Sequence, residues 1–252
     1  MADVLKMQFN NLNDFEKKLY DFKIIFAYHS GKIENNKITF HDTRDIFENG
    51  KVTGYTGDLK TLFEIENQKT CYEFLKPYIL EKKDLDITFI QKVQYELSKG
   101  TYDEYRYKIN KEKPGKFKRH GYVTGANEIG SNPEDVEKDL KELLNELNNT
   151  KINNYFTAGV YFHARFKQIH PFAEGNGRIG RTLMNYYFMI HDIAPVIIYS
   201  EDKQEYYEAL EKFDTLDELK TLINFIKKEQ LKTWDKKQSN NSKNINDFLT
   251  ED

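Results

Sequence analysis

The sequence is short of several things. Its 252 residues include one cysteine, Cys71, one tryptophan, five prolines and 13 glycines. A lone thiol cannot pair within the chain, which excludes a disulfide scaffold and fits a reducing compartment. A buried, inert Cys71 is the expectation. There is no basic excess, since 38 Lys and Arg stand against 41 Asp and Glu, a formal charge of −3. That removes the simplest nucleic-acid binder, which carries a strong positive balance. Long apolar runs are missing too. The longest, near 193–199, is broken by Pro195, whereas a membrane span needs about 20 residues. The first residues lack the apolar core of a signal peptide. The expectation is a soluble, cytoplasmic protein with neither a membrane nor a nucleic-acid partner. What the chain has in quantity is aromatic, 17 Tyr and 18 Phe. Its length allows one large domain or two small ones, with a core that needs no staple.

Helical spacing dominates. Phe15, Leu19, Phe22, Phe26, His29 and Ile33 recur every three or four residues and predict one helix. Asn13 with Glu16 suits its start, and Asn35-Asn36 its left-handed stop. A polar loop with Gly50, Gly54 and Gly57 follows, then Asp58 as the cap of a helix to about Pro77. Another helix is predicted over 87–99. Residues 101–132, with a proline and several glycines, predict a hairpin-like excursion. Asn132-Pro133 opens a helix carried by Val136, Leu140, Leu143 and Leu147. Tyr155, Gly159, Phe162, Phe166 and Ile169 mark the next, stopped by Pro171, and Ile179, Leu183, Tyr186 and Ile190 the one after. Two late helices cover about 203–213 and 216–233, and 234–252 reads as a disordered tail. The fold class expected is mainly α, a helical bundle with a small β-hairpin flap near 114–130.

One segment breaks this pattern. Residues 170–181 read HPFAEGNGRIGR. Gly175, Asn176 and Gly177 open a helix, whose free N–H groups and positive end make an anion site. Glycine lets the backbone approach phosphate oxygens closely. Arg178 and Arg181, three apart, offer forked donors to phosphates. Glu174 is placed to hold magnesium, a hard cation that takes carboxylate and phosphate oxygens together. His170 could accept a proton from an incoming hydroxyl. Base, metal carboxylate and anion cradle point to phosphoryl or nucleotidyl transfer. Gly175, Gly177 and Gly180 also satisfy the dinucleotide fingerprint, with Glu201-Asp202 at ribose distance. That reading fails because an amphipathic helix, not a buried strand, leads into the glycines.

The segment resembles the Fic family signature HPF-x-(D/E)-GNGR-x-x-R at every fixed position, and residues 15–230 can be laid on that family. The resemblance implies a Fic fold and transfer of AMP from ATP, with magnesium, to a Ser, Thr or Tyr hydroxyl of a target protein. It implies His170 as general base, Glu174 as metal ligand, Gly175, Asn176, Gly177 and Arg178 as phosphate cradle, Phe172 as loop anchor and Arg181 on the γ-phosphate. A flap at Val123, Thr124, Gly125 and Ala126 would align the target and cover adenine, and Tyr206 and Tyr207 match nucleotide-contacting positions. Asp214 falls where relatives often carry Asn. A second family motif, (S/T)-x-x-x-E-(G/N), is met by Ser30–Asn35. It implies that Glu34 pairs with Arg181 and restrains the enzyme, in an inhibitory segment 1–57 ahead of a Fic domain at 58–233. Family members often dimerise, so a homodimer is among the expectations, as is self-modification. Another phosphate-containing donor, removal of AMP, or a nucleotide-sensing module without turnover stay open as alternatives. His163, Trp234 and the tyrosines at 102–107 read as packing or surface.

Overall fold

The computed structural model describes residues 4–235 except 122, 125–127 and 150–153, with 123–124 and 128–129 described by backbone alone. Among the described residues the chain forms eleven α-helices. The N-terminal pair is α1 (Leu12–Lys18) and α2 (Tyr20–Glu34). The predicted single helix breaks at Leu19, and the first cap is Asn11, whose side chain accepts from the Asp14 amide, rather than Asn13. Residue Asn35 ends α2 in an extended conformation, not a left-handed one. Its side-chain Nδ2 instead donates to Thr61 Oγ1 at 3.0 Å and Glu64 Oε2 at 2.8 Å, so a tertiary contact overrides the local preference.

A helix absent from the sequence reading follows, α3 (Phe40–Asn49), capped by Thr39 and closed by left-handed Gly50. Then come α4 (Leu59–Leu80), which runs through Pro77, α5 (Ile87–Ser98) and the short α6 (Glu104–Lys108). Among the described residues, the predicted hairpin is represented by two-residue strands, β1 (Val123–Thr124) and β2 (Glu128–Ile129), paired antiparallel. After them stand α7 (Val136–Asn149), α8 (Tyr155–Ile169), α9 (Asn176–Ile190), α10 (Lys203–Leu216) and α11 (Leu219–Trp234). Trp234 is therefore the last helical residue, stacked on Phe22 and donating to the Pro195 carbonyl. The tail from 236 lies outside the described residues. No described helix is long and apolar enough to cross a membrane.

Every residue of α9 is buried, and α2, α4, α5 and α8 pack against it. A helix wrapped on all sides is a rigid platform, so whatever sits at its N-terminus is held firmly. Cys71 is buried in this core, where desolvation pushes its thiol pKa far up and leaves it unreactive.

Candidate active site

The six residues between α8 and α9 are shaped by their own backbone demands. His170 caps α8 in the left-handed region, at φ 49° and ψ 61°, and Pro171 prevents any continuation. Phe172 plunges into the core, fully buried against Phe117 and Phe166. Asn176 closes the loop: its Oδ1 accepts from the Phe172 amide at 3.0 Å and its Nδ2 donates to the Phe172 carbonyl at 2.7 Å. Its side chain is thus committed to the loop, leaving only its backbone for an anion. Replacing Asn176 with alanine strands two buried backbone groups, at about 1–3 kcal/mol each. The expected result is a lower melting temperature together with weaker nucleotide binding, read by calorimetry.

Gly175 enters α9 at φ +84°, which only glycine adopts without strain. A Cβ on Gly177 would overlap Glu34 Oε1, so the Glu34 carboxylate rests against the first turn of α9. An anion already occupies the cradle, and it comes from α2. The same carboxylate receives Arg181 Nη2 at 2.9 Å. Arg181, 1 % exposed, also donates from Nε to Ser30 Oγ at 3.1 Å and from Nη2 to the Ser30 carbonyl at 2.8 Å. Burial alone would raise the Glu34 pKa, but the charges of Arg181, Lys167 and Arg178 outweigh it and hold the carboxyl below its ordinary value. Further ties bind α2 to the rest of the fold. Lys203 Nζ donates to the Ile33 carbonyl, and His29 Nδ1 accepts from the Ser200 amide at 3.0 Å.

A cleft of about 440 Å³ opens over the cradle. Its lining includes Glu34, His170, Glu174, Gly175, Asn176, Gly177 and Arg178, all singled out in the sequence as site residues, Asn35 and Asp58, read there for helix ends or motif, and also Lys37, Lys60, Thr61, Glu64 and Lys167, which were not singled out. Lys167 was within reach of sequence reasoning, one turn before His170 on α8. The others come from the end of α2 and the loop after it, and from α4 and its cap Asp58, which only the tertiary fold brings together here. Arg178 pairs with Glu64 at 3.3 Å, and its Nε and Nη1 are buried without a hydrogen-bond partner. Glu174 is held by Lys60 at 2.6 Å and Arg106 at 3.6 Å. Among the described residues no group of three or more His, Cys, Asp or Glu could hold an ion by itself. A single carboxylate beside an anion cradle nevertheless suits magnesium, which is commonly bound by one or two carboxylates and substrate phosphates. Burial, with Lys167 and Lys118 nearby, lowers the His170 pKa to about 3, so the imidazole is neutral and able to accept a proton.

The remaining sequence candidates lie elsewhere. Arg181 and Ser30 are buried behind the cleft. Tyr206 is fully buried and bonded to His163 at 2.7 Å, and Tyr207 is half-buried beside Lys203; neither lines the cleft. Asp214 sits in the last turns of α10, outside the lining. Val123 and Thr124 form β1, while Gly125 and Ala126 lie outside the described residues. The segment around them is strapped to the His170 loop, since Lys118 N donates to the Pro171 carbonyl at 2.9 Å and Ser131 N to the Ile169 carbonyl at 3.0 Å.

The chain is similar to known proteins in sequence and in fold. The sequence model of the Fic/DOC family matches residues 84–188. The chain is similar to protein adenylyltransferase fic-1 of Caenorhabditis elegans, 25% identical over 232 residues, covering 89% of this chain and 43% of that protein. It is 29% identical over 204 residues to protein adenylyltransferase Fic of Nematostella vectensis, covering 79% and 45%. The chain thus spans less than half the length of these relatives. In fold it is similar to a Fic domain containing signaling protein from Bacteroides thetaiotaomicron, with a TM-score of 0.75, 23% identity and 88% of each chain covered.

Proposed function

We propose, on the premise that this chain carries a Fic/DOC domain at residues 84–188, that it transfers AMP from ATP to a hydroxyl side chain of a protein and that Glu34 restrains the reaction in cis. The observation that carries the reading is the Glu34 carboxylate lying on the Gly177 turn and paired with Arg181. It marks an anion site built for phosphate and filled by the chain itself. The names of the relatives, protein adenylyltransferases, support the choice of donor.

In this reaction the target oxygen attacks the α-phosphorus, the bond to the β-phosphate oxygen breaks, pyrophosphate leaves and the hydroxyl proton goes to His170. The free amides at Gly175–Gly177 and the Arg178 guanidinium stabilise charge on the phosphates, a preorganised contribution that needs no rearrangement. Arg181 takes the terminal phosphate. Glu174 is the residue that would hold magnesium, which when bound neutralises phosphate charge; Lys60 would then have to release it. The segment at 118–131 would present the target as an added strand, with Val123 and Thr124 supplying main-chain bonds. With Glu34 on the cradle, its carboxylate takes the place beside Arg181 that the terminal phosphate needs, and the nucleotide cannot seat for in-line attack. Tyr207, at the edge of the α2 contact, remains a candidate nucleotide neighbour, and Asp214 a weaker one. The lone buried thiol suits the cytoplasm.

A panel of nucleotides read by intact mass tests the assignment. An adenylate-sized increment from ATP on the chain or on a target supports it; an increment from another nucleotide alone replaces the donor, and none from any donor removes the activity. The acid limb supplies a second check. A pKa of about 3 means that His170 stays neutral as pH falls past 6.5, where a solvated imidazole is half protonated. Transfer measured from pH 8 to 5 is expected to lack a drop near 6.5. The lowered Glu34 pKa keeps the restraining pair charged through that window, so acid does not relieve it.

A further inference from the structure

Two fully buried polar side chains, His163 on α8 and Tyr206 on α10, take no part in the cleft and yet converge on Arg181. Both are 0 % exposed, with His163 Nε2 and Tyr206 Oη 2.7 Å apart. A Cβ on Gly180 would lie 3.0 Å from His163 Nδ1, so the ring packs on the backbone residue just before Arg181. Burial, with the charges of Arg181 and Lys167, lowers the His163 pKa to about 3 and keeps the ring neutral. Burial likewise raises the Tyr206 pKa far above its ordinary value, and the charge of the neighbouring Arg181 guanidinium works against that rise. Two polar groups in a dry core cost desolvation that a Phe–Leu pair would avoid, so their presence calls for a use.

The accounting at Arg181 supplies one. The hydrogen bonds of its guanidinium, from Nε and Nη2, go to Ser30 and Glu34 on α2, while Nη1 is buried without a partner. If α2 yields to a nucleotide, those partners go with it. A neutral His163 accepting the Tyr206 proton leaves the phenol oxygen free to accept from the guanidinium.

We infer that Tyr206, oriented by His163, is a positioning residue that holds Arg181 from the α10 side, so that the arginine meets a terminal phosphate instead of following α2. This rests on the assignment of Arg181 made above. It gives Tyr206 a task other than touching the nucleotide.

The test compares ATP with ADP, which lacks the terminal phosphate, by titration calorimetry in a Glu34→Gly background. That parent should bind ATP more tightly than ADP. Adding Tyr206→Phe should weaken ATP about tenfold, the size of one hydrogen bond to a charged group, and ADP by no more than about twofold. His163→Leu should do the same, and His163→Gln, which keeps an acceptor for the phenol, should recover most of the loss. In turnover, KM for ATP should rise more than kcat falls. Melting curves identify any variant that does not fold, and Tyr206→Phe, the smallest change, then decides. Equal losses for ATP and ADP, or no loss for either, overturn the inference. A Glu34→Gly parent without preference for ATP brings down the assignment of Arg181 first, and this inference with it.

Discussion

Replacing Glu34 with glycine is expected to raise AMP incorporation by at least about tenfold. The carboxylate makes a charge-assisted bond to Arg181 at 2.9 Å and covers the first turn of α9. A hydrogen bond to a charged group is worth about 1.5–3 kcal/mol net, and each 1.4 kcal/mol is a factor of ten. Glycine removes the competitor for both the cradle and the arginine without touching His170 or Glu174. The substitution also has a cost. Arg181 is buried and loses its carboxylate partner, and breaking a buried pair is worth about 3–5 kcal/mol when both charges are fully enclosed. Glu34 keeps about a third of its side chain exposed and Ser30 still holds the guanidinium, so the loss is smaller. A melting temperature lowered by several degrees, and restored by ATP more than in the parent, is the accompanying result. Glu34→Gln should fall between the two, since it keeps a hydrogen bond and loses the charge.

His170→Ala is expected to reduce transfer by about 10²–10⁴-fold, the usual worth of a positioned general base, while ATP binding stays intact. The two halves of that result belong together. His170 occupies the left-handed region, where a Cβ-bearing residue costs about 1–2 kcal/mol, so alanine could disturb the loop for reasons unrelated to the proton. His170→Asn controls for this, because asparagine tolerates that conformation and cannot act as base. Both variants should lose turnover to the same degree and bind ATP like the parent, in a Glu34→Gly background where binding is not masked. If asparagine retains activity, His170 serves the backbone rather than the reaction.

The sequence announced the site better than the fold around it. His170, Glu174, Gly175, Asn176, Gly177 and Arg178 are contiguous, so helix-end physics alone places them together, and all six line the cleft. Most helices were legible from apolar spacing because each buries one stripe; α9 is buried all round, yet its spacing still showed. Helix α3 was hidden behind a run of glycines of which the first, Gly50, in fact closes it, and Thr39 with Asp42, a capping pair, was the available sign. Lys60 and Glu64 could not be found, since nothing local says that α4 will lie across the cradle. Asn176, read as part of the phosphate cradle, spends its side chain on Phe172 and leaves its backbone for that role. Tyr206 was read as a nucleotide contact and is fully enclosed. In both cases residue type and position suggested contact with a ligand, while burial directed the polar atoms inward.

The central claim is that the α-phosphate moves and that Glu34 stands in its way. Its most direct measurement supplies the Glu34→Gly chain with ATP carrying label on either the α- or the γ-phosphate and follows which label becomes protein-bound. Label from the α-position, with pyrophosphate released in equal amount and little incorporation by the unsubstituted chain, is the predicted result. Label from the γ-position, or bound ATP with no protein-bound label from either position, would contradict it.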